Sequence, residues 1–335
     1  MKCVKLRAPG GLDRLDFADK EAPSAPGPGE IRVRIYASSL NYHDYAVAIG
    51  AIPTSDGRIL MSDGAGVVEA IGDGVTEFAV GDHVVSCFFP LWLDGAPPHG
   101  NFAFVPGDGL DGYAREAVVR PATWFTRAPI GYSHTEAATL TCAGLTAWRA
   151  LVVEGRLKAG ETVLILGTGG VAIFALQMAK LMGATAIITS SSDAKLERAR
   201  ALGANHTINY KSEPKWGEAV RRWTGGRGVD HVLEIGGPGT LPKSISAVRI
   251  GGHISLIGIL TGTSGEVPTL AMMAKQVRLQ GIIVGSRRHQ QEMIRAIDAT
   301  GLHPIIDRSF PLHALSDAFR YEEQAAHFGK ICVEV

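Results

Sequence analysis

The run Val163-Leu164-Ile165-Leu166-Gly167-Thr168-Gly169-Gly170-Val171-Ala172 constrains this chain more than any other stretch. A short apolar segment meets a glycine turn and then opens into a helical pattern. Glycine adopts the backbone angles such a turn needs and lets the main chain come close to a ligand, while the following helix start presents free N–H groups and the positive end of its dipole. A pyrophosphate is the natural occupant, and Ala172 suits the third fingerprint position, where only close packing of helix on strand is required. The context agrees. Apolar residues at helical spacing run from Phe174 to Met182 and stop at Gly183, and a β-rich run, Ala186 to Thr189, follows at once. Strand, turn, helix and strand in that order make the βαβ unit that distinguishes a dinucleotide fingerprint from an ordinary glycine-rich turn. Further alternation is expected as helix 195–202, strand 206–210, helix 216–224 and strands 230–235 and 253–259. The predicted class is α/β, with a doubly wound parallel Rossmann sheet.

At 335 residues the chain is comfortable as two domains. Its formal net charge is zero, which gives no reason to expect nucleic acid or an anionic membrane as a partner. No apolar run approaches the roughly 18 to 20 residues that cross a bilayer, and the first residues lack the apolar core of a signal peptide, so a cytoplasmic location is expected. Cys3, Cys87, Cys142 and Cys332 are scattered without a CxxC pair. That fits a reducing compartment and argues against a disulfide framework or a cysteine-rich zinc lobe.

The first 130 residues read differently from the middle. Ile31 to Tyr36 and Gly66 to Ile71 look like short strands separated by Pro/Gly turns, the pattern of an antiparallel β-rich domain. Residues 87–113 form a long glycine, proline and aromatic stretch with Phe88, Phe89, Trp92, Phe102 and Phe104. Such a stretch is a binding segment or lid, or else its aromatics plug a surface cleft. The chain ends in a strand-like run from Gly329 to Val335, which is expected to pair back onto the N-terminal domain. The expected division is therefore 1–130 with 276–335 as a catalytic domain, and 131–275 as an inserted Rossmann domain.

Several segments in order carry a family resemblance: Asn41-Tyr42-His43-Asp44, Gly64-Ala65-Gly66-Val67-Val68, Gly81-Asp82-His83-Val84, Cys142-Ala143-Gly144-Leu145-Thr146-Ala147, the Gly167 turn and the closing Gly329-Lys330. Together they resemble the medium-chain dehydrogenase/reductase superfamily, and in particular its zinc-free branch around quinone oxidoreductases. The resemblance implies a GroES-like β-rich domain, a Rossmann cofactor domain, an active site in the cleft between them, and a homodimer. It also exposes a departure. Where zinc-dependent members carry cysteine, histidine and cysteine, this chain has Asn41, Ser62 and Cys142. An amide and a hydroxyl do not replace thiolate and imidazole donors, so no catalytic metal is expected, although His43 and Asp63 lie close enough in sequence to leave a rearranged site conceivable.

The end of the second Rossmann strand reads Thr189-Ser190-Ser191-Ser192, then Asp193 and Lys195. An NAD-preferring site carries an acidic residue there, roughly 20 residues past the glycine turn. Hydroxyls and a lysine suit the 2′-phosphate of NADP(H) instead, with Asp193 read as a helix cap. By resemblance, cofactor contacts fall on Asn41, Thr141, Gly167, Gly169, Gly170, Val171, Ser190, Ser191, Lys195, Tyr210, Ile257, Ile259, Leu260, Ile283, Val284 and Lys330. For the chemistry, Tyr42 is the candidate donor to a substrate carbonyl, Asn41 an orienting amide and Asp44 a residue that fixes the turn, with His43 and Tyr45 as competitors. Hydride addition to an enone leaves a delocalised enolate that hydrogen bonds can serve, whereas direct carbonyl reduction concentrates charge on one oxygen, where a metal or strong acid counts for more. The expected activity is zinc-independent, NADPH-dependent reduction of an enone or quinone. The alternatives are an NADP-dependent alcohol dehydrogenase or ketone reductase without zinc, and a non-catalytic NADPH-binding redox sensor.

Overall fold

A computed structural model covers residues 1–335 and describes the side chains of all of them except Asn101 and Phe102. The chain divides into two compact units, residues 1–145 with 284–335, and residues 146–283.

The first unit contains β1 (Lys2–Leu6), β2 (Leu15–Asp19), β3 (Glu30–Ser39), α1 (Tyr42–Ala48), β4 (Arg58–Ile59), β5 (Ala65–Ile71), β6 (His83–Ser86), β7 (Ala117–Pro121), β8 (Phe125–Arg127) and α2 (His134–Ala138). Strand β3 is its axis. Ile31, Val33, Ile35 and Ala37 alternate inward and are buried, while Arg32, Arg34 and Tyr36 point away, the period-two pattern of a half-covered strand. It pairs antiparallel with β5 and with β7, and Val68, Phe78, Val84, Val118 and Phe125 close one core over it.

The second unit follows with α3 (Leu145–Trp148), β9 (Thr162–Ile165), α4 (Gly170–Leu181), β10 (Thr185–Ser190), α5 (Asp193–Ala201), β11 (His206–Asn209), α6 (Trp216–Trp223), β12 (Val229–Glu234), α7 (Leu241–Ala247), β13 (Val248–Leu256), α8 (Thr269–Ala274) and β14 (Arg278–Gly281). Its six strands lie in the order β11-β10-β9-β12-β13-β14 and every neighbouring pair is parallel. Strands covered on both faces read as unbroken apolar runs, which is how Val163 to Ile165 and Ala186 to Ile188 appear in the sequence. This is a Rossmann-type doubly wound sheet.

The chain then returns to the first unit with α9 (Arg287–Thr300), β15 (Ile306–Pro311), α10 (Leu315–Glu323) and β16 (Lys330–Glu334). Strand β16 inserts between β15 and β3, setting Cys332 opposite Ser39, so the first unit is completed by both chain ends and the Rossmann unit is an insertion. Residues 131–145, which the sequence pattern groups with the Rossmann segment, lie in the first unit, and residues 276–283, which it groups with the catalytic domain, lie in the second. Helix α2 packs in the first unit on β3, β5, β6 and β16, and Thr141 just beyond it bonds to Ser86.

The aromatic stretch starts as a plug. Phe88, Phe89 and Trp92 are buried, and the carbonyls of Trp92 and Leu93 accept the first N–H groups of α9, from Arg287 at 2.9 Å and Arg288 at 3.0 Å. Those helix-end donors have no partner within their own helix, so the loop and helix satisfy each other. Leu91, Leu93 and Phe104 remain exposed, and the side chain of Phe102 lies outside the described residues.

Candidate active site

In a parallel sheet all strands deliver their carboxyl ends to one edge, and ligands settle there at the point where strand order reverses. Strand β9 is that point, with β10 on one side and β12 on the other. Gly167 follows β9 with φ of 78°, a left-handed conformation, and a Cβ there would lie 2.8 Å from the end of Ile235. Only glycine fits without strain. Gly169 caps α4, so Gly170, Val171 and Ala172 make its first turn and carry its unpaired N–H groups.

The same edge collects the other residues anticipated in this unit. Ser190 ends β10 and its Oγ accepts from the Ser192 N–H at 3.2 Å, while Ser192 Oγ accepts from Lys195 N–H at 3.4 Å. Ser192, not Asp193, is therefore the cap of α5, and Asp193 is the first helical residue, its carboxylate accepting from Asn209 Nδ2 at 2.8 Å. Tyr210 follows β11, donates its backbone N–H to the Ser190 carbonyl at 3.1 Å, and leaves its ring exposed. Ile257, Ile259 and Leu260 follow β13, and Ile283 follows β14. Ile259, Leu260 and Ile283 are 49%, 56% and 50% exposed.

One member of this edge was not anticipated. Glu234, the last residue of β12, is fully buried and accepts from the N–H groups of Gly236 at 2.8 Å and Gly237 at 3.0 Å and from the hydroxyls of Thr240 and Ser244. It ties the β12 turn to α7. The available signal was an acid directly after the apolar pair Val232-Leu233 and directly before Ile235-Gly236-Gly237.

The first unit holds a second constellation, around the start of α1. Asn41 caps this helix, and Asp44 accepts from its backbone N–H and its Nδ2, each at 3.1 Å. Asp44 also accepts from Ser62, at 2.7 Å from the N–H and 3.2 Å from Oγ, and Asn41 Nδ2 lies 3.5 Å from Ser62 Oγ. Ser62 follows Met61, a buried residue held at φ of 76°. Asp63 is fully buried and accepts from Ser39 Oγ at 2.6 Å; burial pushes its carboxyl up to about 7 against the pull of the Lys330 charge. Lys330 donates to the Leu40 carbonyl and, at 2.6 Å, to Asn41 Oδ1. Asn41, Asp44 and Lys330 thus converge, and the Asn41 amide is occupied at both ends.

Tyr42 stands on the same turn but faces out, 53% exposed, its hydroxyl making no hydrogen bond among the described residues. Tyr45 instead donates to Glu323 at 2.6 Å, and that carboxylate pushes its phenol up to about 12. His43 lies between two carboxylates, 3.4 Å from Asp108 and 3.8 Å from Asp44. Burial alone would lower its pKa, but the two acids outweigh it and raise it to about 9. Thr141 is buried and donates to the Ser86 carbonyl at 3.0 Å, and Cys142 beside it is half-buried. Val284 opens the returning segment, buried at φ of 45°, an unusual conformation for a β-branched residue. Among the described residues, no three His, Cys, Asp or Glu side chains are grouped to hold a metal ion.

A Rossmann unit whose carboxyl edge carries a glycine turn and a helix start, inserted into a β-rich unit with a buried polar turn, is the architecture of a nicotinamide-type oxidoreductase. Residues 27–130 match the family model of the alcohol dehydrogenase GroES-like domain, and residues 170–299 that of zinc-binding dehydrogenases. The chain is 40% identical to a zinc-type alcohol dehydrogenase-like protein of Schizosaccharomyces pombe, covering 97% of this chain and 96% of that one. It is 30% identical to a 2-haloacrylate reductase of Burkholderia, over 93% and 92% of the two chains. Among solved structures it is similar to an NAD-dependent alcohol dehydrogenase (TM-score 0.91, 34% identity, all of both chains). It is also similar to the crotonyl-CoA carboxylase/reductase AntE V350A in complex with NADP (TM-score 0.87, 26% identity, 100% of this chain and 96% of that one). The chain belongs to the medium-chain dehydrogenase/reductase superfamily and is an oxidoreductase of that family.

Proposed function

We propose that this protein is a zinc-independent, NADPH-dependent reductase of activated C=C bonds in enones or quinones, acting in the cytoplasm as a homodimer. The observation that carries the reading is the α1 turn. At the positions where zinc-dependent members of the family supply ligands, Asn41 points its amide nitrogen at Asp44 and Ser62 and its oxygen at Lys330, and Ser62 Oγ is spent on Asp44. An amide already paired with a cation and a hydroxyl already donating are poor zinc donors.

For the cofactor, the Gly167 turn and the first turn of α4 offer backbone N–H groups to the pyrophosphate. Ser190, Ser191, Lys195 and Tyr210 stand at and just beyond the ends of β10 and β11, where the 2′-phosphate would lie, and the Asp193 carboxylate beside them is engaged by Asn209. Bound NADPH supplies a hydride. The exposed apolar residues Ile259, Leu260 and Ile283 would shelter the nicotinamide part from water. The Tyr42 hydroxyl is free to donate to a substrate carbonyl oxygen and so to favour the charge that develops there, while Asn41 and Asp44 hold the turn that carries it. The 2-haloacrylate and crotonyl-CoA reductases act, by name, on substrates with a conjugated C=C bond, which supports the same chemistry here.

Product analysis on one enone tests the proposal. NADPH consumption unaffected by a chelator, with the saturated ketone as product, is expected. The allylic alcohol would instead identify a carbonyl reductase, a reading favoured by the similarity to an NAD-dependent alcohol dehydrogenase. Bound NADPH without turnover across varied enones would refute both.

A further inference from the structure

Lys330 opens β16, and its side chain is buried to 3% exposure. Burying an ammonium is costly unless it is paired, and its recorded partners are internal: the Leu40 carbonyl and Asn41 Oδ1. Two carboxyls feel the local field. Burial pushes both Asp63 and Glu322 up to about 7, the Lys330 charge works against that rise and the Asp44 charge adds to it, and among the described residues Glu322 Oε2 is buried without a hydrogen-bond partner. Strand β16 is held by β3 on one side and β15 on the other, so the base of the side chain is fixed. An ammonium only donates, and this decides which end of the Asn41 amide faces it. With the oxygen turned to Lys330, the nitrogen is left to face Asp44 and Ser62, and those bonds set the first turn of α1.

We infer that Lys330 is a positioning residue, whose buried charge fixes the Asn41 amide and thereby the turn that presents Tyr42, and that it does this in place of contacting the cofactor. A fixed internal cation thus offsets the carboxyls packed beside the α1 turn. The kinetic part of the inference rests on the reductase reading, whereas the structural and binding parts do not.

The test compares Lys330→Gln, Asp63→Asn and the double variant with the unaltered protein, using NADPH fluorescence titration, thermal unfolding and enone turnover at saturating NADPH. For Lys330→Gln, the dissociation constant for NADPH should stay within about twofold, while kcat falls by about tenfold or more and the melting temperature drops. In the Lys330→Gln background, Asp63→Asn should raise the melting temperature and recover at least about threefold in kcat, because it removes a buried negative charge left without its counter-charge. A rise of about tenfold or more in the NADPH dissociation constant with kcat preserved would place Lys330 on the cofactor and overturn the inference. So would a double variant no more stable than Lys330→Gln alone. If the protein reduces no enone, titration and melting still decide the role of Lys330, so the two readings fail separately.

Discussion

Replacing Glu234 tests whether the nucleotide edge is shaped by a buried carboxylate. Its side chain accepts from two backbone N–H groups, of Gly236 and Gly237, and from the hydroxyls of Thr240 and Ser244. In Glu234→Ala the hydroxyls can rotate toward other acceptors, but the two N–H groups cannot. Each buried donor left unsatisfied costs about 1–3 kcal/mol, so the variant should lose about 4 kcal/mol, with the vacated side-chain volume adding to this. Glu234→Gln keeps one oxygen for Gly236, Gly237 and Thr240 and turns its NH2 toward Ser244 Oγ, which can accept. It forfeits only the charge assistance of those bonds, and its expected loss is about 1–2 kcal/mol. Urea unfolding followed through Trp216, which is buried in the same core, measures both. Both variants should also weaken NADPH binding, since the turn they loosen lies at the carboxyl edge of the sheet. Equal losses for the two, or a loss below about 0.5 kcal/mol for Glu234→Ala, would show that the carboxylate is a passenger in the turn.

Ser190→Asp should shift selectivity toward NADH, lowering kcat/KM for NADPH relative to NADH by about a hundredfold, because it sets a carboxylate against the 2′-phosphate; steady-state kinetics with both cofactors checks it. Gly167→Ala should weaken NADPH binding and destabilise the fold by about 1–2 kcal/mol, the cost of a side chain at φ of 78°, as read by titration and denaturant unfolding. His253 is buried, and burial first, then the charges of Arg278 and His231, lower its pKa to about 4. The unfolded chain therefore takes up a proton that the folded one refuses as pH falls from about 6.5 to about 4, and about 3 kcal/mol of stability is lost across that window. His253→Leu should flatten that part of the stability profile.

The legible parts of the fold were those with a repeating pattern. Strand β3 showed its alternation, and β9 and β10 showed the unbroken apolar runs of strands covered on both faces. Strand β14 did not. Its residues Arg278, Leu279, Gln280 and Gly281 have no apolar face, and they form a strand because β13 offers an open edge in parallel register. The aromatic stretch was ambiguous because Phe88, Phe89 and Trp92 suit a lid and a plug equally. What fixes them is the meeting of the Trp92 and Leu93 carbonyls with the start of α9, a contact between distant parts of the chain. At the carboxyl edge of the sheet, Gly167, Ser190, Tyr210 and Ile257 sit at or just past strand ends, which sequence pattern can place, whereas Glu234 inside the end of β12 was missed. The Lys330 to Asn41 bond was not readable either, since nothing local in Gly329-Lys330 says how far the side chain reaches or what it meets.

The electrostatics of the α1 turn bear on which substrates it can serve. Asp44 and Asp63 are buried carboxyls, and the Lys330 ammonium that offsets them directs its recorded bonds inward to Leu40 and Asn41. Little positive charge is left to aim at a substrate. The exposed group on the turn is the Tyr42 hydroxyl, which offers a single hydrogen bond. An alkoxide forming on one oxygen would need far more than that, typically a Lewis acid worth several kcal/mol. An enolate, with its charge spread from oxygen to the α-carbon, needs less at any one atom, and one donor at the oxygen supplies it. On this argument Tyr42→Phe should cost enone reduction about 10²-fold in kcat, the contribution of one positioned proton donor, with NADPH affinity unchanged. A variant that retained full kcat would remove Tyr42 from the chemistry and leave His43, flanked by Asp44 and Asp108, as the nearest group on the turn able to release a proton.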